Sequence, residues 1–396
     1  MMKFKNSYLS ARHLWSSPFV RWQGSLADVS SLDLAVAVTR DALAKAEFDP
    51  ALVSQIVLGT TIPQQQSFYG APWIAARLGM TGVSGPHIAQ ACATSVACLV
   101  AAAQAVEGDA DTTSLVVTAD RTSNGPLMVY PRSQSAGGAP ATEHWVLDSF
   151  AADPWTGEAM VQTAEAVARD GAMSRSALDE LTLLRYSQYQ RSLANDRAFQ
   201  RRWMQPVVIA KGKSKLVVEA DEGVHPYTAE GLAALKPVMP DGVTTYGSQT
   251  HPADGSAGAL VCSAARAREL ARGDGVVRLL SAGFARAEKG RMPKAATLAA
   301  QRALASAGVA IDQVKLATTH NPFAVNDLWF AQQTGYSLER MNPYGCSLIF
   351  GHPQGPTGMR SIVELVHALQ EAGGGIGLFT GCAAGDTGGA VVLSVE

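Results

Sequence analysis

Two cysteines and two histidines, each set among small residues, are the side chains of this sequence best suited to covalent chemistry. Cys92 sits in QACATSVA, His320 opens HNPFA, His352 lies in NPYGCSLIFGHPQGPTG (Asn342 to Gly358), and Cys382 lies in GCAAGDTGG. A thiolate attacks a carbonyl carbon and an imidazole can take the thiol proton, so the set points to thiol chemistry on a carbonyl. Cys92 precedes a predicted helix, where the positive end of the dipole lowers a thiol pKa. Its neighbours Ala91, Ala93 and Thr94 leave room for a substrate. Position alone also fits a buried, inert thiol, the better description of Cys98. For His352 the alternative is a structural histidine satisfied by a turn carbonyl. The flanking Gly351, Gly355 and Gly358, which let backbone approach a ligand, favour the functional reading. His320 ends the predicted strand VKLATT, where α/β proteins place ligands, and can donate a hydrogen bond to a carbonyl oxygen. A plain turn histidine beside Asn321 and Pro322 is its alternative. Cys382 ends the predicted strand GIGLFTG, before a glycine-rich turn whose N–H groups can face an oxyanion. By itself it also fits an incidental cysteine in a turn between the last two strands.

Short apolar runs and alanine-rich helical segments must position these residues. Ser54 to Gly59, Ser114 to Asp120, Val314 to Thr319, Gly375 to Thr380 and Gly388 to Val395 read as buried strands. Leu32 to Ala46, Thr94 to Val106 and Arg360 to Glu371 read as helices. In the last, Ile362, Leu365, Val366 and Leu369 fall on one face. Strands alternating with helices predict α/β layers with helices on both sides of a sheet. Leu32 to Gly59 (helix, acidic turn, strand) is echoed by Ala295 to Thr319, which predicts two similar halves. The region between is more polar and irregular, with PRSQSAGGAPAT and the basic runs at Arg201 to Trp203 and Lys211 to Lys215. It reads as an insertion. The expected division is an N-terminal half of residues 1–120 plus about 251–272, an inserted region of 121–250, and a C-terminal half of 273–396.

The chain has 396 residues and a formal charge of −2, which argues against a nucleic-acid binder with a basic face. Its five cysteines include no CxxC pair, so neither a disulfide framework nor a zinc knuckle is expected, and a reducing cytoplasm fits free thiols. The N-terminus lacks the apolar core of a signal peptide, and no uncharged apolar run reads as a membrane span.

Taken together, the islands resemble the thiolase family nearly end to end. Cys92, Thr94 and Ala97 match loosely the family's C-x-S-x-x-A, HNPFA matches N/H-E-A-F-A, and NPYGCSLIFGHPQGPTG matches N-P-x-G-G-x-x-x-x-G-H-P-x-G-x-x-G with Cys346 replacing one glycine. CAAGDTG matches in part C-x-G-G-G-x-G. HNPFAVND is similar to the H-D-x-F-x-x-N-E form of the sterol-carrier-protein branch. The resemblance implies a five-layered αβαβα fold of two βαβαβαββ halves with an inserted loop domain. It implies an acyl-CoA C-acyltransferase of fatty-acid and lipid metabolism, performing reversible Claisen condensation and thiolysis of 3-ketoacyl-CoA through an acyl-Cys92 intermediate. In those roles His352 takes the thiol proton and helps bind a thioester oxygen, Cys382 abstracts the α-proton, and His320 supports the first oxyanion hole. The backbone N–H groups of Cys92 and Ala384 form the second. Met160, Ser248 and Thr250 are the implied substrate contacts, and Arg201, Lys211 and Lys213 are candidates for the phosphates of coenzyme A. No metal and no permanently bound cofactor are implied, only coenzyme A thioesters as substrates, with no nucleic-acid or membrane partner and a homodimer or homotetramer as the assembly. Ala159 stands where the family often has histidine, Thr250 where it has serine, and CAAGD puts Asp386 into the last motif. The alternatives are a decarboxylating, ketosynthase-like condensing enzyme and a non-catalytic acyl-CoA-binding protein of the same family.

Overall fold

In the computed structural model, which describes residues 2–212 and 214–396, the chain builds the same unit twice. The first comprises β1 (Tyr8–Ser16), α1 (Ser31–Lys45), β2 (Gln55–Gly59), α2 (Thr94–Gly108), β3 (Ser114–Arg121) and β4 (Ala253–Cys262). The second comprises β5 (Val276–Arg286), α3 (Met292–Ala307), β6 (Val314–His320), α4 (Ala324–Thr334), α5 (Pro356–Glu371), β7 (Gly375–Ala383) and β8 (Thr387–Val395). The strand order is β1-β4-β3-β2 in one and β5-β8-β7-β6 in the other. Only β2–β3 and β6–β7 are parallel in these sets. The halves join where β1 and β5 pair over a short antiparallel seam, from Val276 opposite Ser10 to Arg278 opposite Tyr8. The echo seen in the sequence is the α1–β2 and α3–β6 pair.

Burial follows from the layers. α2 and α5 pack on each other between the two halves of the sheet, while α1 and α3 cover the outer faces. A helix enclosed on all sides has no polar face to present to water, and α5 is buried continuously from Pro356 to Leu369. Ala91–Gly108 is by length and composition apolar enough to cross a bilayer, but it is this central helix, with Val96, Leu99, Val100 and Val106 packed against Met359, Ile362 and Val366 of α5 in one core. Close approach of the two helices requires Gly358, because a Cβ there would lie 3.0 Å from Ser95 Cβ and 3.1 Å from the Phe379 ring.

Residues 122–252 contribute two separate two-stranded sheets and the helices Met160–Asp170 and Arg175–Ser192. This region is clamped to the second half by buried charge. Arg185 pairs with Asp327 of α4 at 2.8 Å, and Asp221 receives a bidentate pair from Arg360 of α5 at 2.6 and 2.8 Å. The Arg360 guanidinium also lies over Phe350, 3.7 Å from its centroid, and bonds to Glu364 at 3.1 Å. Removing one member of a buried pair strands the other. Asp221→Ala should therefore destabilise the fold by about 3–5 kcal/mol, read from the shift of a urea-unfolding midpoint. A midpoint equal to that of the unmodified chain would show that Glu364 alone satisfies Arg360.

Candidate active site

The N-termini of the two central helices bring together residues that lie 260 positions apart. Before α2, Ala91 takes a left-handed backbone conformation with φ +43°, uncommon for a residue with a Cβ. The turn is held by Thr94, whose Oγ1 donates to Ala91 O at 2.7 Å and accepts from Gln90 N at 2.8 Å. Cys92 Sγ emerges from this turn 3.1 Å from His352 Nε2 and 3.2 Å from Gln354 Oε1. His352 Nδ1 meets Thr357 Oγ1 at 2.7 Å. A hydrogen on Nδ1 donated to that hydroxyl leaves Nε2 as the free base facing the thiol.

The turn carrying His352 is fixed to the first half. Asp120, at the end of β3, accepts from the backbone N–H groups of Thr61, Ile62 and Gly355, and Ser95 Oγ donates to Gly355 O. The glycines therefore serve a different purpose from the one expected. A Cβ at Gly355 would lie 2.7 Å from Asp120 Oδ2, and one at Gly351 would meet His251 at 2.7 Å. They let this turn approach protein rather than ligand.

His320 and Cys382 complete the cluster. The rings of His320 and His352 stack with centroids 4.0 Å apart. His320 Nδ1 bonds to Ser347 Oγ at 3.0 Å, and its Nε2 is buried with no partner among the described residues. Cys382, on β7, receives a hydrogen bond from Asn326 Nδ2 at 3.2 Å. Cys92 Sγ and a ring nitrogen of each histidine lie within 4.8 Å of one another.

Burial keeps these groups neutral. It pushes the Cys92 thiol up to about 12, although the backbone N–H groups of Ala384 and Cys92 donate toward the sulfur and pull the other way. Burial, with the nearby His320, holds His352 well below the usual imidazole range, and burial holds His320 at about 3. The Cys382 thiol is also raised, by burial first and by Cys92 second, against the lowering contribution of Asn326. The resting pair is a thiol beside a free imidazole, and a thiolate forms only as the proton moves to His352.

The cluster opens into a cavity of about 550 Å³, whose lining includes Cys92, His352, Cys382 and Ala384 at one end. Trp145, Phe150, Met160, Tyr246, Met292 and Phe323 give it a largely apolar wall. Met160 and Thr250 line this cavity, and Ala159 lines it with them. His320 does not line the cavity; it backs His352. Ser248 is turned inward, its Oγ accepting from Thr245 N at 2.9 Å and its carbonyl from Ala324 N. It shapes the loop and is not itself part of the cavity lining. Arg201 is likewise displaced, to a surface pair with Asp196 at 2.7 Å. Lys211 ends the strand Val207–Lys211, and Lys213 lies outside the described residues. A charged run identifies exposed chain but not the direction it faces. Asp386 does not enter the site either. Its carboxylate accepts from Gly290 N and Arg291 N, both at 3.0 Å, anchoring the turn ahead of α3. Gln354, Thr357 and Asn326 were missed as site residues. The first two lie inside the glycine-rich turn and the third in HNPFAVND, so the signal was proximity to the quoted motifs.

Comparison with known proteins agrees with this architecture. The thiolase N-terminal domain matches residues 15–265 and the thiolase C-terminal domain matches residues 275–395. The acetyl-CoA acetyltransferase of Escherichia coli (strain K12) is 28% identical over 381 residues, covering 94% of this chain and 95% of that protein. The 3-ketoacyl-CoA thiolase of Erwinia tasmaniensis is 26% identical, covering 98% and 97%. Among solved structures, human mitochondrial 3-ketoacyl-CoA thiolase superposes with a TM-score of 0.90 at 22% identity over 99% of both chains. The same human enzyme has also been solved in complex with CoA, with a TM-score of 0.89 at 22% identity over 100% of this chain and 99% of that one. Bacillus anthracis acetyl-CoA acetyltransferase superposes with a TM-score of 0.88 at 23% identity over the full length of both. With the duplicated half, the paired cysteines and both domain matches spanning nearly all of the sequence, the chain belongs to the thiolase family.

Proposed function

We propose that the protein is an acyl-CoA C-acyltransferase, catalysing Claisen condensation of two acyl-CoA molecules or thiolysis of a 3-ketoacyl-CoA. The observation that carries this reading is the Cys92–His352 contact of 3.1 Å facing Cys382 across one apolar cavity. In the condensing direction His352 Nε2 takes the Cys92 proton as Sγ attacks the thioester carbonyl. The oxyanion forms against the N–H groups of Cys92 and Ala384, which already point at the sulfur. Collapse expels the coenzyme A thiolate, and the imidazolium returns a proton to it. A second acyl-CoA then enters. Cys382 passes its proton to His352 Nε2 and, as thiolate, removes the α-proton of that substrate; the carbanion attacks acyl-Cys92 to form the new carbon–carbon bond, and the Cys92 thiolate released takes the Nε2 proton back. Asn326, donating to Cys382 Sγ, favours the charged form of that base. His352 Nε2–H is placed to hold the enolate oxygen, with His320 fixing the ring by stacking. Mass spectrometry after incubation with a panel of acyl-CoA thioesters tests the reading. An acyl adduct on Cys92 is expected, and no adduct with any chain length would overturn it.

The division into halves at 1–120 plus 251–272 and 273–396, with 121–250 as a substrate-binding insertion, belongs to the same proposal. So do a cytoplasmic setting, which the absence of any disulfide among the described residues supports, and a homodimer or homotetramer. Support for assembly is the sheet edge at His87–Ile88, beside which Phe68 is fully exposed and Tyr69 and Trp73 are half-exposed. Light scattering should give a multiple of 41.5 kDa; a single-chain mass at micromolar concentration would remove this part.

A further inference from the structure

One polar side chain against the Cys92 sulfur is unused by that reaction. Gln354 has a left-handed backbone, φ +66°, which turns its side chain back over the active site, and it is 8% exposed. Its Oε1 lies 3.2 Å from Cys92 Sγ, on a sulfur that is itself 3.1 Å from His352 Nε2. The thiol carries one proton and faces two acceptors, a base and a carbonyl oxygen.

We infer that Gln354 is a further catalytic residue, whose carbonyl oxygen holds the proton-bearing edge of His352 once the Cys92 proton has moved there. The inference rests on Cys92 as nucleophile and His352 as its base. When Sγ–H breaks and Nε2–H forms, the imidazolium is first balanced by the thiolate. As Sγ bonds to the acyl carbon it becomes neutral, the negative charge moves to the oxyanion held by the Cys92 and Ala384 N–H groups, and the imidazolium Nε2–H loses the acceptor it faced. A charged donor without an acceptor is costly there. Gln354 Oε1 supplies the acceptor at that moment, and no atom or electron beyond the substrate's is required. The other titratable groups facing His352 do not serve this purpose. His320, from the end of β6, is stacked on the ring and disfavours its positive charge. Asp120, from β3, is occupied by three backbone N–H groups, and Cys382, from β7, is engaged by Asn326. His251, ahead of β4, meets the same turn through its carbonyl, which accepts from His352 N. Consistent with this, Gln354 acts to raise the His352 pKa against burial.

Gln354→Leu and Gln354→Met retain the bulk and remove the acceptor. The readout is the rate of iodoacetamide alkylation at the Cys92 peptide between pH 4 and 9, which needs no coenzyme A thioester and so is independent of the proposed substrate class. Loss of the acceptor makes His352 a weaker base. The plateau rate should fall roughly ten- to a hundredfold, the worth of one hydrogen bond to a charged group, and the acid limb should move to lower pH. Melting temperature should be unchanged, and either variant suffices if the other does not fold. Faster alkylation would mean that Gln354 merely covers the sulfur. An unchanged rate, or slowing without a shift of the acid limb, would equally overturn the inference.

Discussion

Cys92→Ser is expected to fold normally and to lose acyl transfer. The serine hydroxyl preserves the volume, and the turn that projects it depends on Ala91 and Thr94 rather than on the sulfur. The chemistry does not survive, because an alkoxide is far harder to form than a thiolate and His352 is a weak base, held low by burial. Loss of a nucleophile that acts as a unit with its base costs up to about 10⁶-fold in turnover in the best-studied case. A fall of at least about 10³-fold, with no acyl-enzyme in the mass spectrum, is the outcome consistent with the site. An acyl-enzyme that persists in the variant would move the nucleophile elsewhere, and Cys382 would be the first place to look.

Cys382→Ser should divide the reaction in two. Cys382 faces the same cavity but does not touch the Cys92–His352 pair through any hydrogen bond given by the structure, so acylation of Cys92 should proceed at its usual rate. Condensation should fall by about 10²–10⁴-fold, the usual contribution of a positioned acid or base. Serine beside Asn326 Nδ2 can accept the same hydrogen bond, so the packing around β7 is kept while the ability to hold a proton-abstracting anion is lost. Single-turnover mass spectrometry follows the first step and product formation the second. Equal losses in both steps would make Cys382 part of the nucleophile's environment instead of a separate base. A condensation rate that survives would favour a decarboxylating reaction, in which loss of CO2 supplies the carbanion without a base.

Much of the layering was legible along the chain. β2, β3, β6, β7 and β8, with α1, α2 and α5, appear near their expected positions, because strands buried on both faces are continuous apolar runs and long helices show their period. β1, β4 and β5 were not legible. ADGSAGALVC is buried at every position yet carries mostly small residues, so neither alternation nor bulk marks it. A Cβ at its Gly258 would meet the Trp15 ring at 2.4 Å, a constraint set by a neighbouring strand about 240 residues away.

The candidate reactive side chains were legible in the sequence itself: Cys92, His352 and Cys382 are singled out by residue type and by the small-residue turns around them, which are local properties. Their mutual arrangement was decided only by tertiary structure. The seam between β1 and β5 and the packing of α2 on α5 bring Cys92 to 3.1 Å from His352, place His320 behind that ring, and turn Ser248, Arg201 and Asp386 away from the cavity. The same packing laid Gln354 against the sulfur. Direction and distance between side chains hundreds of residues apart depend on how two buried helices interlock, and local composition carries no record of that.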